Sequence, residues 1–420
     1  MPKPLYQSLV LAILYFLLLG YCHYEFVGKL FDYMKFNSEL DLLKVFVSII
    51  SIVLIYIVSY SNRLKYTYLQ LVYCLLLIPS LVLFAFGGGG YDFYLTTMMA
   101  CLLMLLASKL FRPKVIVSHQ INTIVLSRLL LLMIALYLLG IIAQGGLSYL
   151  NFNLSKVYEI RDEANSSLHP VFAYLSPIVG KIFIPLVIVM SVIQKQYLYA
   201  ALGVASSIMV FGLTAHKSPL IYPILILAVY TIPKRLIARL LAVGAISLVA
   251  ISILDFTLKQ ELDSPLLGWF GSLISRRAIL IPSHLNMLYL EFFSNNLHYY
   301  WADSRLSFGL IESPYPVTAA FLMGQEIFSD PELSANTGWV GSGYANAGLF
   351  GVAFYSLLVG VIISYFSSLG ERCGERFIFS ATFILMITII LSADLTTVIL
   401  THGLVAFLLI TMLIKRNAFH

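Results

Sequence analysis

Charge is scarce in this chain. Among 420 residues there are 26 Lys and Arg and 20 Asp and Glu, 11% in all, against roughly 25% in an ordinary soluble domain. Hydrophobic residues make up 60%, more than a water-soluble fold of this size can hide, so a soluble enzyme is excluded at the outset. Cysteine is equally thin. Of the four, Cys22, Cys74 and Cys101 fall inside apolar runs and Cys373 in a short polar turn, which rules out a disulfide framework and leaves no metal-type spacing. No metal and no cofactor are expected. There is no tandem repeat, and the single low-complexity tract is the run of glycines at 87–90. The net charge of +6 is spread over short loops and carries no nucleic-acid inference.

What the chain has instead is apolar runs of about twenty residues, the length that crosses about 30 Å of hydrocarbon. Twelve spans are read: 6–25, 43–61, 67–86, 93–110, 129–143, 174–193, 198–214, 220–232, 240–258, 348–369, 377–392 and 395–414. The seventh and eighth are short, and only Ala215, His216, Lys217 and Ser218, followed by Pro219, separate them. The first lacks a strongly basic start and a small-residue cleavage site and is read as a retained helix. With the N-terminus inside, 15 of the 26 Lys and Arg fall in inner loops and 18 of the 20 Asp and Glu at or beyond the outer face, the bias that the positive-inside rule describes. The expectation is one all-α, polytopic integral membrane domain over 1–420.

Polarity concentrates in two loops on the outer side by this count, 144–173 and 259–347. In the second, Trp269, Phe270, Leu273 and Ile274 recur at helical spacing, as do apolar residues over 283–293, which predicts interfacial helices without a separate soluble domain. Pro314 and Pro316 break helix and predict looped backbone. The Gly- and Asn-rich stretch 336–348 predicts a compact irregular path leading into the span at Gly348. The glycines at 87–90 predict a tight outer turn, with contact to carbohydrate or lipid through exposed amides as a minor alternative.

Several side chains in these loops have chemistry to offer. Arg161, Arg276, Arg277 and Arg305 lie on the outer side, with Lys217 and Lys181 as further cations, and a planar guanidinium matches phosphate oxygens in two-point contacts. Ion pairing is the alternative reading for Arg161, beside Glu159, Asp162 and Glu163, and for Arg305, near Asp303. For proton transfer the candidates are His169 and Glu291, followed by His284, Asp303, His298, His216 and Asp394. His402 lies within the last span, where ionisable groups are functional candidates by default. Aromatic residues crowd the late loop, and an interfacial belt explains most of them; their company with amides, Tyr344 with Asn346 and Trp339 with Asn336, is the part a belt does not explain and fits an oligosaccharide groove.

These features together resemble the Wzy-type O-antigen polymerases, the oligosaccharide repeat-unit polymerases of bacterial surface polysaccharide synthesis. The resemblance rests on the many-helix apolar chain, the outer loop around Tyr158, Glu159, Ile160 and Arg161, and the large late loop. That loop carries Arg276 and Arg277, then Tyr289 to Phe293, then Asn336 to Gly338 and Gly343 to Gly348. It implies a GT-C-like architecture in the bacterial inner membrane with the site facing the periplasm. The implied reaction is an inverting, metal-independent transfer between undecaprenyl-diphosphate-linked oligosaccharides, with a chain-length-regulating co-polymerase (Wzz-type) as partner. On this reading Arg161, Arg276, Arg277 and Arg305 hold diphosphate, His169 or Glu291 serves the acceptor hydroxyl, and Tyr344, Asn346, Asn336 and Trp339 contact sugar. An O-antigen ligase would share the donor and differ in acceptor; a flippase or transporter would want polar groups spread through the helices.

Overall fold

The computed structural model describes residues 3–61, 63–114, 121–153, 169–262, 264–415 and 419. It is all-helical, 78% helix, with two isolated bridges between extended residues, Glu39 with Gly87 and Ile121 with Ile414. The helices in chain order are α1 (Pro4–Leu30), α2 (Leu42–Ser59), α3 (Leu64–Phe86), α4 (Tyr91–Leu110), α5 (Thr123–Ala143), α6 (Pro170–Ile193) and α7 (Tyr197–Thr214). There follow α8 (Ser218–Thr231), α9 (Leu236–Leu262), α10 (269–293), α11 (Ala319–Phe328), α12 (Trp339–Cys373), α13 (Glu375–Leu391) and α14 (Leu395–Met412).

Ten of these are long and apolar enough to cross a membrane, and each falls on a span expected from sequence. The other two expected spans are present as shorter helices, α8 with 14 residues and α13 with 17. At 1.5 Å per residue, 14 residues reach only about 21 Å, less than the hydrocarbon thickness.

The chain divides into two compact units, one of residues 1–112, 235–364 and 388–396, the other of 113–234, 365–387 and 397–420. Each has one helix at its centre. In the first it is α3, 94% buried over its most apolar stretch, and in the second α6, 72% buried. Peripheral helices keep apolar side chains on their outer faces, as α2 does with Leu43, Phe46, Ile50 and Leu54. In water that stripe would be an aggregation site; in lipid it costs nothing.

Three helices contain a wide π turn that ends two residues before a proline: 73–77 before Pro79 in α3, 179–183 before Pro185 in α6, and 272–280 before Pro282 in α10. A proline lacks the amide proton for the carbonyl four residues back, and its ring collides with that carbonyl. Widening the turn just ahead moves the carbonyl aside, so the helix passes the proline without breaking.

The late polar region follows the sequence expectation in its first half and departs from it in the second. Asp255 near the end of α9 accepts hydrogen bonds from the amides of Gly268 (2.9 Å) and Gly271 (2.8 Å), which fixes the turn that starts α10. The two amphipathic segments expected there are one continuous helix. After the prolines the backbone loops as expected, then forms α11. The Gly/Asn-rich stretch is not an irregular approach to a span at Gly348. It is already helical from Trp339, with a kink at Ala347 and Gly348, where φ of Gly348 is +57°. The reason lies in approach distance. A Cβ on Gly338 would sit 2.0 Å from the carbonyl oxygen of Ile390, and one on Gly351 1.9 Å from that of Gly343, so these glycines let backbone pack on backbone.

Candidate functional site

Within the first unit, three segments far apart in sequence meet. The stretch that links α1 to α2 runs alongside the end of α3, where the amide of Glu39 donates to the carbonyl of Phe86 (3.0 Å) and that of Asp41 to Ala85 (3.0 Å). The glycines at 87–90 follow. Gly88 has φ +73°, a left-handed conformation that glycine adopts without strain. Lys44 donates to the carbonyl of Gly89 (2.9 Å), and its ammonium lies over the rings of Phe84 and Tyr91. The glycine turn is therefore tied to the start of α2 by the Lys44 side chain.

Two histidines hold the α1–α2 link against the rest of the unit. His23 Nε2 donates to the carbonyl of Asn37 (2.9 Å) and His284 Nε2 to that of Met34 (2.9 Å), while Phe36 stacks on the His284 ring at 4.0 Å. Burial pushes His284 down to about 4, so its imidazole is neutral.

Between the glycine turn, α4, α10 and the start of α12 lies a cavity of about 830 Å³, within the usual size range of small-ligand sites. Its polar wall includes Asn37, Asp92, Glu291, Ser294 and Tyr344 together with the glycine backbone; its apolar wall includes Leu95, Met99 and Met287. Asp92 occupies the first turn of α4, whose helix dipole favours a carboxylate. Glu291 and Tyr344, both named from sequence, are brought together here. Asp92 and Asn37 were not anticipated; a carboxylate two residues past a glycine run, at a helix start, was the available signal for the first.

The arginines stand elsewhere. Among the described residues none lines this cavity. Arg276 lies over the ring of Phe31 at 4.3 Å and donates to Ser272 Oγ through Nε (3.0 Å) and to the sulfur of Met34 through Nη1 (2.9 Å). Burial lowers its pKa from the usual guanidinium range, with the neighbouring charge of Arg277 acting the same way, though it stays charged. Arg277 and Arg305 are exposed. Arg161 lies outside the described residues.

Asn346 and Trp339 are interior. Trp339 is fully buried and its indole donates to Ser356 Oγ (3.2 Å). Asn346 accepts from the amide of Trp301 (3.0 Å) and donates to Ser342 O (2.9 Å) and Asp394 Oδ2 (3.1 Å). Asn336 is exposed and donates to Ser334 Oγ (2.9 Å). Asp394 is the centre of a network: Tyr355 and Asn346 donate to one oxygen, the amide and hydroxyl of Thr396 to the other. Around it Tyr300 and Trp301 take left-handed backbone, φ +48° and +63°, which non-glycine residues hold only when the surroundings over-determine them. Asp303 keeps an exposed edge, yet desolvation raises its carboxyl above the ordinary aspartate range and the charge of Asp394 adds to that.

The second unit holds His169 and Lys181. His169 is exposed and caps α6, its Nδ1 accepting from the amide of Val171 (3.3 Å). Lys181 is not an outer-loop cation. It sits eleven residues into α6, in the π turn, with Nζ 3.1 Å from His402 Nδ1. His402 belongs to the Thr401–Gly403 interruption of α14, where Gly403 has φ +89°. No group of three or more His, Cys, Asp or Glu suited to a metal occurs among the described residues. Compared with known proteins, the chain matches no family model, no curated protein and no solved structure.

Proposed function

We propose that this protein is a membrane-embedded glycosyltransferase of the polymerase type, joining lipid-linked oligosaccharide units at the boundary of the bilayer. The reading is carried by the cavity in the first unit. Its polar wall offers carboxylate, amide, hydroxyl and backbone acceptors to a polyhydroxylated ligand, and its apolar wall continues into the helices. A sugar on a lipid carrier has the same two-part character.

In the proposed reaction the acceptor hydroxyl oxygen attacks the anomeric carbon of the donor and the bond to the carrier diphosphate breaks. The diphosphate departs with the bonding pair, and the hydroxyl proton passes to Glu291. A polyprenyl diphosphate is already a stable anion, so the chief needs are a base near the acceptor and cations near the leaving group. Arg277 and Arg305, being exposed, and Arg161 are the cations assigned to that task. Arg276 instead holds Phe31 and Met34 in place. Undecaprenyl-type carriers and a chain-length-regulating co-polymerase are the partners of this reading, at the periplasmic face of an inner membrane.

Purified protein supplied with lipid-linked repeat units should yield a ladder of products, and Glu291→Gln should slow it by about 10²–10⁴-fold, the range for loss of a general base. A full ladder from Glu291→Gln would remove the assignment; transfer only to a lipid-core acceptor would make the protein a ligase. A second reading, translocation of lipid-linked sugar, is favoured by the ionisable pair Lys181 and His402 inside the spans of the second unit. Passage of labelled lipid-linked sugar across proteoliposomes without any ladder would select it.

A further inference from the structure

The charge on the walls of the cavity limits what it accepts. Two carboxylates, Asp92 and Glu291, line it. A third stands beside it: Glu39 Oε2 lies 2.9 Å from where a Cβ on Gly88 would project, and Gly88 is itself part of the wall. Both lining carboxylates are exposed. Among the described residues no lysine, arginine or histidine lines the cavity; the ammonium of Lys44 donates to the carbonyl of Gly89 and lies over the rings of Phe84 and Tyr91. The remaining polar wall is neutral: Asn37, Ser294, Tyr344 and glycine backbone.

We propose that this cavity takes a neutral or ammonium-bearing glycan and rejects uronic acids and phosphate esters. The proposal rests on the reading that the cavity holds glycan, and it adds the class of sugar. An acidic sugar placed between two carboxylates meets repulsion at both, and because both are exposed that repulsion is strongest at low ionic strength. An amino sugar at the same place gains a charge-assisted hydrogen bond from either. Hydroxyl groups of a neutral sugar use the carboxylates as acceptors. A consequence is that the carrier diphosphate stays outside the cavity, with only the sugar entering.

The test is binding to the full-length protein in nanodiscs, which does not require turnover. Three probes of equal length are compared: a glucosamine oligosaccharide, its N-acetylated form and an oligogalacturonate. The amine and neutral forms should bind at least about tenfold more tightly than the acid, and the affinity of the amine should fall with added salt. In the double variant Asp92→Asn/Glu291→Gln the amine-to-acid ratio should shrink by about tenfold. Equal binding of the acid and neutral probes overturns the proposal, as does absence of binding by all three or an unchanged ratio in the double variant. The wild-type comparison stands alone if the double variant does not fold. Selective binding without any ladder leaves this inference intact and removes the polymerase; a ladder from acidic repeat units at undiminished rate does the reverse.

Discussion

The Tyr355 hydroxyl lies 3.0 Å from Asp394 Oδ2 and is itself hydrogen-bonded by the indole N–H of Trp301 at 2.8 Å. This chain of donors ties the kinked start of α12 to the turn before α14 and to the left-handed backbone at Tyr300 and Trp301. Both oxygens of Asp394 are occupied, which makes it an anchor for the walls of the unit rather than a proton carrier. Asp394→Asn should turn an amide toward two groups that now donate, at a cost of about 2–4 kcal/mol for the stranded donors. Thermal unfolding in detergent measures this; an unchanged midpoint would mean that the network is not structural.

Asp303 gives the opposite expectation. Its folded pKa is raised, chiefly by desolvation and then by Asp394, so the fold favours the protonated acid. The stability this group adds is full below the unfolded aspartate pKa and lost as pH rises through the folded value. Asp303→Asn should therefore be neutral or stabilising at pH 7 and flatten the slope of stability just above pH 4. Unfolding midpoints from pH 3.5 to 7 decide it, and a clear loss at pH 7 would contradict the sign.

For His284 the sign reverses. Folded, it is pushed down to about 4 by burial, against about 6.5 unfolded. The contribution of the neutral imidazole is full above about pH 6.5 and lost as pH falls toward 4. Acidification should loosen the α1–α2 link that His284 holds through the carbonyl of Met34. Amide protection over residues 31–41, taken relative to the intrinsic exchange rate at each pH, should fall between pH 6.5 and 4, and fall less in His284→Gln; protection unchanged across that range would contradict it.

The spans were legible because a bilayer leaves a plain mark: long apolar runs, basic residues at one end and acidic ones at the other. The helical character of 269–293 was legible too, from apolar spacing. Glycine misled over 336–348. Its helix penalty is real, but here it is outweighed by backbone contact, since the space beside Gly338 is filled by the Ile390 carbonyl, a fact about a segment fifty residues away. The cavity was half legible. Glu291 and Tyr344 advertise themselves among aromatics, whereas Asp92 and Asn37 join them only because the α1–α2 link folds along α3. From sequence Arg276 reads as an anion ligand, because sequence does not reveal that Phe31 and Met34 lie against it.

Gly338 offers a sharp check on that account. A methyl group 2.0 Å from a backbone oxygen cannot be relieved by turning a side chain. Gly338→Ala should cost about 1–3 kcal/mol or more through displaced backbone, while Gly90→Ala, with nothing within 4 Å, should cost little. Equal midpoints for the two variants would argue against the close packing at the start of α12.

The pair Lys181 and His402 lends itself to a double-mutant cycle. The two basic nitrogens are 3.1 Å apart, one in the π turn of α6 and the other at the interruption of α14, so one must supply a lone pair to a proton carried by the other, and both cannot be charged at that distance. His402→Leu alone should leave the Lys181 amine without this partner and cost about 1–3 kcal/mol, whereas Lys181→Met/His402→Leu, which removes both polar groups, should recover most of the loss. Unfolding midpoints of the two single variants and the double variant supply the coupling energy. If the double variant falls by the sum of the single effects, the two side chains act independently, and the interruption of α14 at Gly403 must owe its stability to other contacts, such as the hydrogen bond from Tyr174 to the carbonyl of Leu400.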